Sequence, residues 1–126
     1  MLGMEFKLNR ERIEEQEELS YEDCIYTLDE YFKKYGFDTY EEGDARRYLG
    51  HDHPDDLAML GIIRSHLIKT KWFMENLRYW YLLDSDDNDD PNDFNYEDIL
   101  STLIRRNKLK WLDPKNIKPK EGITAF

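Results

Sequence analysis

The chain carries 126 residues, a formal net charge of −10 and a single cysteine, Cys24. That length gives one domain with a core of its own, and one thiol excludes an intrachain disulfide framework. The acidic balance argues against direct nucleic-acid binding, because an acidic body repels phosphate backbones. The charge is uneven: residues 1–60 hold seven Lys/Arg against 17 Asp/Glu, residues 61–98 four against nine, and residues 99–126 seven against two. An acidic body therefore ends in a basic segment. The N-terminal stretch MLGMEFKLNRER lacks the apolar centre of a signal peptide. The most apolar run, residues 57–83, contains Arg64, Lys69, Lys71, Glu75 and Arg78, which excludes an ordinary transmembrane helix. The expected location is the cytoplasm, with no membrane contact.

In chain order, MEFKL alternates and leaves room for a short strand at the N-terminus. Asn9 caps a short, very polar helix over residues 10–19. Three similar words follow, SYED at Ser20, TYEE at Thr39 and NYED at Asn95. Each pairs a capping side chain with an acid three residues on, Ser20 with Asp23, Thr39 with Glu42 and Asn95 with Asp98, as in a capping box. Read so, they begin helices over residues 21–35, 39–49 and 95–107, with Gly36 and Gly50 as stops. Pro54 opens a long helix to residue 83, where Leu60, Ile63, Leu67, Met74, Leu77 and Tyr81 form a stripe widened by Ile62, His66, Phe73 and Trp80. Cys24 falls among helical apolar positions and is expected to be buried and inert. The expected fold is all-α: a helical domain over residues 1–110, with about five helices around one long central helix at 54–83, followed by an irregular, extended basic tail over 111–126.

Three groups of residues are arranged so that they could carry chemistry. GHDHPDD gathers His51, Asp52, His53, Asp55 and Asp56, with His66 further on, all metal-ligand types. Capping by Asp52 or His53 and acids in a first turn account for most of that run, and His66 reads as a core histidine, so no metal is assigned. The loop from Asp86 places Asp86, Asn88, Asp90 and Glu97 at positions one, three, five and twelve, which resembles an EF-hand calcium loop. Position six is Pro91, which cannot take the positive φ of the usual glycine, and position eight is Asp93. A solvated acidic loop is the favoured reading. Finally, Glu14, Glu15 and Glu18 spell E-E-x-x-E, and Glu41 with Asp44 spells E-x-x-D. This pair is similar to the magnesium motif of all-α nucleotide pyrophosphatases of the MazG type. The likeness implies acids on facing helices that hold a magnesium ion on substrate phosphates.

The four serines, Ser20, Ser65, Ser85 and Ser101, have no nucleophile setting, and there is no glycine-rich phosphate loop. Arg64, Lys71 and Arg78 recur every seven residues and would share one face of the long helix, pairing with acids of the same fold or binding a partner. The reading placed first is a small acidic protein that works by protein–protein contact, without cofactor or metal. Small acidic phage proteins that block defence nucleases, and some toxin-immunity proteins, resemble it in size and charge. The expected partner is a basic protein such as a nuclease or toxin. The expected contact residues are Glu11, Glu14, Glu15 and Glu18, with Asp86, Asp87, Asp89 and Asp90. The magnesium-dependent pyrophosphatase is the second reading and the calcium-binding helix–loop–helix the third.

Overall fold

The structure, a computed structural model, describes residues 1–85, 93–106 and 110–122. The chain runs β1 (Leu2–Leu8), α1 (Arg10–Glu15), α2 (Tyr21–Lys34), β2 (Asp38–Glu42), β3 (Ala45–Leu49), α3 (Asp56–Ile68), α4 (Lys71–Glu75), β4 (Leu77–Asp84), β5 (Asn95–Asp98) and α5 (Ile99–Arg105). A 3-10 turn follows at Pro114–Asn116. The strands form one antiparallel sheet in the order β2-β3-β1-β4-β5. The all-α expectation is therefore wrong: the fold is mixed α/β, and its centre is the sheet rather than a long helix.

The expected helix over 54–83 breaks into three pieces. Helix α3 ends at Ile68, where the Thr70 hydroxyl donates to the His66 carbonyl at 3.0 Å. Helix α4 is little more than one turn, and fully buried Asn76 leads into β4. Along β4, Trp80 joins the main core beneath the helices, while Tyr79, Tyr81 and Leu83 pack into a second cluster with Ala45 and Phe94. A strand buried on both faces is a nearly continuous apolar run, and a helical stripe can be threaded through such a run equally well. The spacing of Arg64, Lys71 and Arg78 consequently carries no common face, because they stand on α3, α4 and β4.

The repeated word has two structural outcomes. Ser20 does cap α2, accepting from the Asp23 amide at 3.4 Å, and Asn9 caps α1. TYEE and NYED instead form the two edge strands, β2 and β5. Acids on an edge strand discourage further strand pairing, which gives TYEE and NYED a reason for their composition other than helix capping. The true cap of α5 is Asp98, which accepts from the Leu100 and Ser101 amides at 3.0 and 3.4 Å. Helix α2 stops as expected. Gly36 takes φ +91, its amide donates to Lys33, and the Phe37 amide donates to Phe32 in a Schellman arrangement.

Strand β1 is the centre of the sheet, and its alternation decides both faces. Met4, Phe6 and Leu8 join the main core with Ile13, Leu28, Phe32, Tyr48, Ile63, Phe73, Trp80 and Leu103. The Phe32 and Tyr48 rings stack at 3.9 Å and 6°, and Phe73 meets Phe6 edge-on at 5.1 Å. On the opposite face Glu5 pairs across to Arg47 and Tyr81. Gly3 is required there by close approach, since a Cβ would stand 2.2 Å from the Tyr48 carbonyl oxygen. Gly3→Ala is accordingly expected to destabilise the protein by about 1–3 kcal/mol, because a backbone oxygen cannot swing away. Urea unfolding at unchanged slope would register this, and a midpoint equal to the parent's would contradict it.

The basic tail is tied to this framework. Asn9 donates to Asn116 at 3.0 Å, Asn116 donates to the Glu75 carbonyl at 2.8 Å, and Trp111, Leu112 and Ile117 pack on the core. The Lys118 amide then donates to the Arg78 carbonyl at 2.9 Å. Among the described residues no helix is long and apolar enough to cross a membrane.

Candidate functional site

Residues 11–44 hold 13 Asp/Glu against three Lys/Arg, a balance of −10 that equals the net charge of the whole chain. The fold gathers this segment. α1, α2 and the β2–β3 hairpin meet around a cleft of about 350 Å³, lined by Arg10, Tyr21, Glu22, Ile25, Tyr26, Asp29, Glu41, Gly43, Asp44 and Arg46. Each element is held by local chemistry. Ile13 is the one buried side chain of α1 and pins that short helix to the core. The hairpin turns through two residues, Gly43 and Asp44, with φ +61 at Gly43, as a type II′ turn demands.

The cleft floor is an ionic network. Arg46 has a side chain only 6% exposed, and it donates to both Asp29 carboxylate oxygens at 2.7 and 2.8 Å and to Glu41 at 2.5 Å. The Tyr48 hydroxyl donates to Asp29 at 2.6 Å. Burial alone would lower the Arg46 guanidinium's affinity for its proton, but the bonds to Asp29 and Glu41 more than reverse this, so its pKa is raised. Burial, reinforced by Asp29, pushes the Tyr48 hydroxyl up as well, so it stays a donor. At the rim, Arg10 donates to Glu14 at 2.8 Å and to Asp44 at 3.5 Å, and its guanidinium lies 4.8 Å from the Tyr21 ring centre.

The residues expected from sequence fall differently. Glu11, Glu14 and Glu15 stand exposed on α1, but α1 ends at Glu15, so exposed Glu18 follows it rather than sharing its face. Glu14 and Asp44 do come together, with the Arg10 guanidinium between them. Glu41 lies on a strand and Asp44 in a turn, so the facing helices implied by the pyrophosphatase likeness are absent from this part of the fold. The calcium-loop expectation meets β4 and β5 on either side instead of two helices, with Glu97 inside β5. Asp86, Asn88, Asp90 and Pro91, together with the expected contacts Asp87 and Asp89, lie outside the described residues.

The histidine run forms a loop rather than a ligand set. His51 pairs with Asp38 at 2.8 Å, Asp52 with the N-terminal amine at 2.8 Å, and buried Asp56 accepts from the His53 amide at 3.2 Å. Neither Asp52 nor His53 caps α3, whose N-cap position is Asp55. His66 is exposed and stacks on Tyr31 at 4.6 Å, so it is not a core histidine. Among the described residues, no group of three or more His, Cys, Asp or Glu is placed to hold a metal ion. Cys24 is buried, and burial followed by the Asp23 charge pushes its thiol up, away from the reactive thiolate.

Sequence reasoning missed Asp29, Arg46 and Tyr26. Asp29 has no distinguishing spacing on α2. Arg46 could have been found from the Gly-Asp pair at 43–44, a hairpin signal that places it opposite Glu41. Tyr26 is the most exposed large apolar side chain of this face, at 66%. Comparison with protein-family models, curated proteins and solved structures gives no match.

Proposed function

We propose that this protein acts by contact with a basic protein partner, as an inhibitor or immunity-type protein that presents carboxylates in place of nucleic-acid phosphates. The observation that carries this reading is the balance of −10 in residues 11–44, on elements that meet at one cleft lined by Glu22, Asp29, Glu41 and Asp44. Two sets of these acids differ in their engagement. Asp29, Glu41, Glu14 and Asp44 are engaged by Arg46 and Arg10 and shape the surface. Glu11, Glu15, Glu18, Glu22 and Glu30 are exposed and form no ion pair among the described residues, which leaves them for a partner. Tyr26 beside them supplies the kind of amphipathic side chain that anchors interfaces. Charge set on such a face steers encounter more than it adds affinity.

The test uses the partner recovered from a native lysate. Glu15→Lys with Glu18→Lys is expected to slow association at least tenfold at low salt while stability changes by no more than about 0.5 kcal/mol, since exposed charges contribute little to folding. The parent's association rate is expected to fall as salt rises, because the screening length shrinks from about 10 Å at 0.1 M to about 3 Å at 1 M. A rate indifferent both to salt and to the double reversal would sink the acidic-face reading. Tyr26→Ala is expected to speed dissociation instead, which separates anchoring from steering.

A further inference from the structure

We infer that the protein has a second, oppositely charged site: a phosphate-binding pocket where the C-terminal tail crosses the sheet. It shares no residue with the acidic cleft and does not depend on the proposed partner.

The pocket has a volume of about 350 Å³ and is lined by Lys7, Arg78, Tyr79, Lys118, Pro119, Lys120 and Glu121. Four cations and one carboxylate therefore converge on one cavity in a chain whose net charge is −10. Such segregation runs against the average composition and costs mutual repulsion unless an anion is present. The cations come from three separate parts of the chain: Lys7 from the end of β1, Arg78 from the start of β4, and Lys118 and Lys120 from the tail.

The tail lysines are positioned before any ligand arrives. The Lys118 amide donates to the Arg78 carbonyl at 2.9 Å, the Lys120 amide donates to the Tyr81 hydroxyl at 3.2 Å, and Lys120 Nζ lies 2.7 Å from the buried Glu5 carboxylate. Glu5 also takes Arg47 as a partner, so this one carboxylate is shared between two cations. Lys7, Arg78 and Lys118 stand outside those pairs, with Glu121 as the carboxylate lining the same cavity. The Arg78 guanidinium lines the pocket and donates weakly to the Asn116 carbonyl at 3.5 Å. One guanidinium with flanking ammonium groups suits a compact multivalent anion, and phosphate oxygens match the guanidinium fork. The ligand class assigned is a small soluble phosphate compound bearing a diphosphate group. The cavity is at the lower end of the size range for small-molecule sites.

Inorganic pyrophosphate is the probe, titrated calorimetrically into the full chain at 0.05 M and 0.15 M salt. Saturable one-to-one binding is expected, weaker at the higher salt. Lys118→Ala, at an exposed side chain whose backbone bond is kept, is expected to weaken it at least fivefold, and Lys7→Ala with Lys118→Ala at least tenfold. Glu121→Gln removes the opposing charge and is expected to tighten binding about threefold, a gain that damage to the fold could not imitate. Lys33→Ala, at an exposed lysine on α2, should leave binding unchanged. Absence of saturable binding, or equal binding by the parent and Lys118→Ala, would overturn the assignment. Inorganic phosphate serves as the second arm. Affinity at least tenfold below that for pyrophosphate supports the diphosphate class, and equal affinity overturns it.

Discussion

Asp29→Ala is expected to lower the free energy of unfolding by about 3 kcal/mol, at the low end of the range for breaking a buried ion pair. The substitution removes four acceptor contacts at once, two from Arg46, one from the Tyr48 hydroxyl and a longer one from the Thr39 hydroxyl at 3.5 Å. What remains is a guanidinium buried to 6% exposure, already with its Nε unpaired among the described residues. It keeps one bond, to Glu41, a side chain 69% exposed and weakened by solvent. Tyr48 is held between Phe6 and Phe32, so its hydroxyl cannot swing out and is left with whatever enters the vacated place. The low end of the range applies because Asp29 is itself partly exposed and water can enter where its carboxylate stood. Glu41→Gln removes only the exposed partner and is expected to cost no more than about 1 kcal/mol. Asp29→Ala combined with Arg46→Met should be more stable than Asp29→Ala alone, since the stranded charge leaves with its partner. Urea unfolding of the four proteins checks the order, and equal losses for Asp29→Ala and Glu41→Gln would refute it. The same network ties β2 and β3 to α2, so Asp29→Ala should also slow partner association by loosening the cleft floor.

The parts of this fold that the sequence displays are those set by local chemistry. Ser20, Asn9 and Gly36 mark helix ends through backbone groups one turn away, and each does so in the structure. Thr39 and Asn95 carry almost the same local signal, yet they enter strands. What separates them from Ser20 is tertiary. Residues after Ser20 repeat with helical period, Tyr21, Cys24, Leu28 and Phe32, and all four are buried on one side. After Thr39 the chain meets a Gly-Asp turn, and in the strand that follows Arg46 and Tyr48 reach Asp29 while Arg47 reaches Glu5 on the other face. The run at 77–84 was illegible for another reason. Its two faces are both apolar, and periodicity cannot distinguish a doubly buried strand from a buried helix. Its aromatic and short-run character was the available clue. The acidic face was legible as charge, because charge needs no fold to be counted. Its geometry was not: the meeting of Glu14 with Asp44, and of Arg46 with Asp29, depends on a hairpin that the helical reading excluded.

The second large effect lies on the other face of the sheet. Glu5→Gln is expected to cost about 2–3 kcal/mol and to release the tail. Glu5 is fully buried, yet its carboxylate accepts from Arg47 Nε at 2.9 Å and from Lys120 Nζ at 2.7 Å. A charged acceptor is compatible with burial when cationic donors satisfy it, as Arg47 and Lys120 do here. Glutamine keeps the shape but carries no charge, and its amide group turns donors toward a cation. Arg47 and Lys120 are each about one-fifth exposed, so they recover part of the loss by turning to water, which places the cost below that of a fully enclosed pair. Lys120→Ala leaves Glu5 with Arg47 and is expected to cost less, about 1–2 kcal/mol. Two measurements separate these effects. Urea unfolding gives the order, with Glu5→Gln the more destabilised. Amide exchange reads the tail, where the Lys118 and Lys120 amides donate to the Arg78 carbonyl and the Tyr81 hydroxyl. Both amides should exchange faster in Glu5→Gln while those of β1 and β3 remain slow, because the strand ladder does not depend on the tail. Unchanged exchange at Lys118 and Lys120 would mean that the tail is held by Asn116 and the packing of Ile117 rather than by the buried carboxylate.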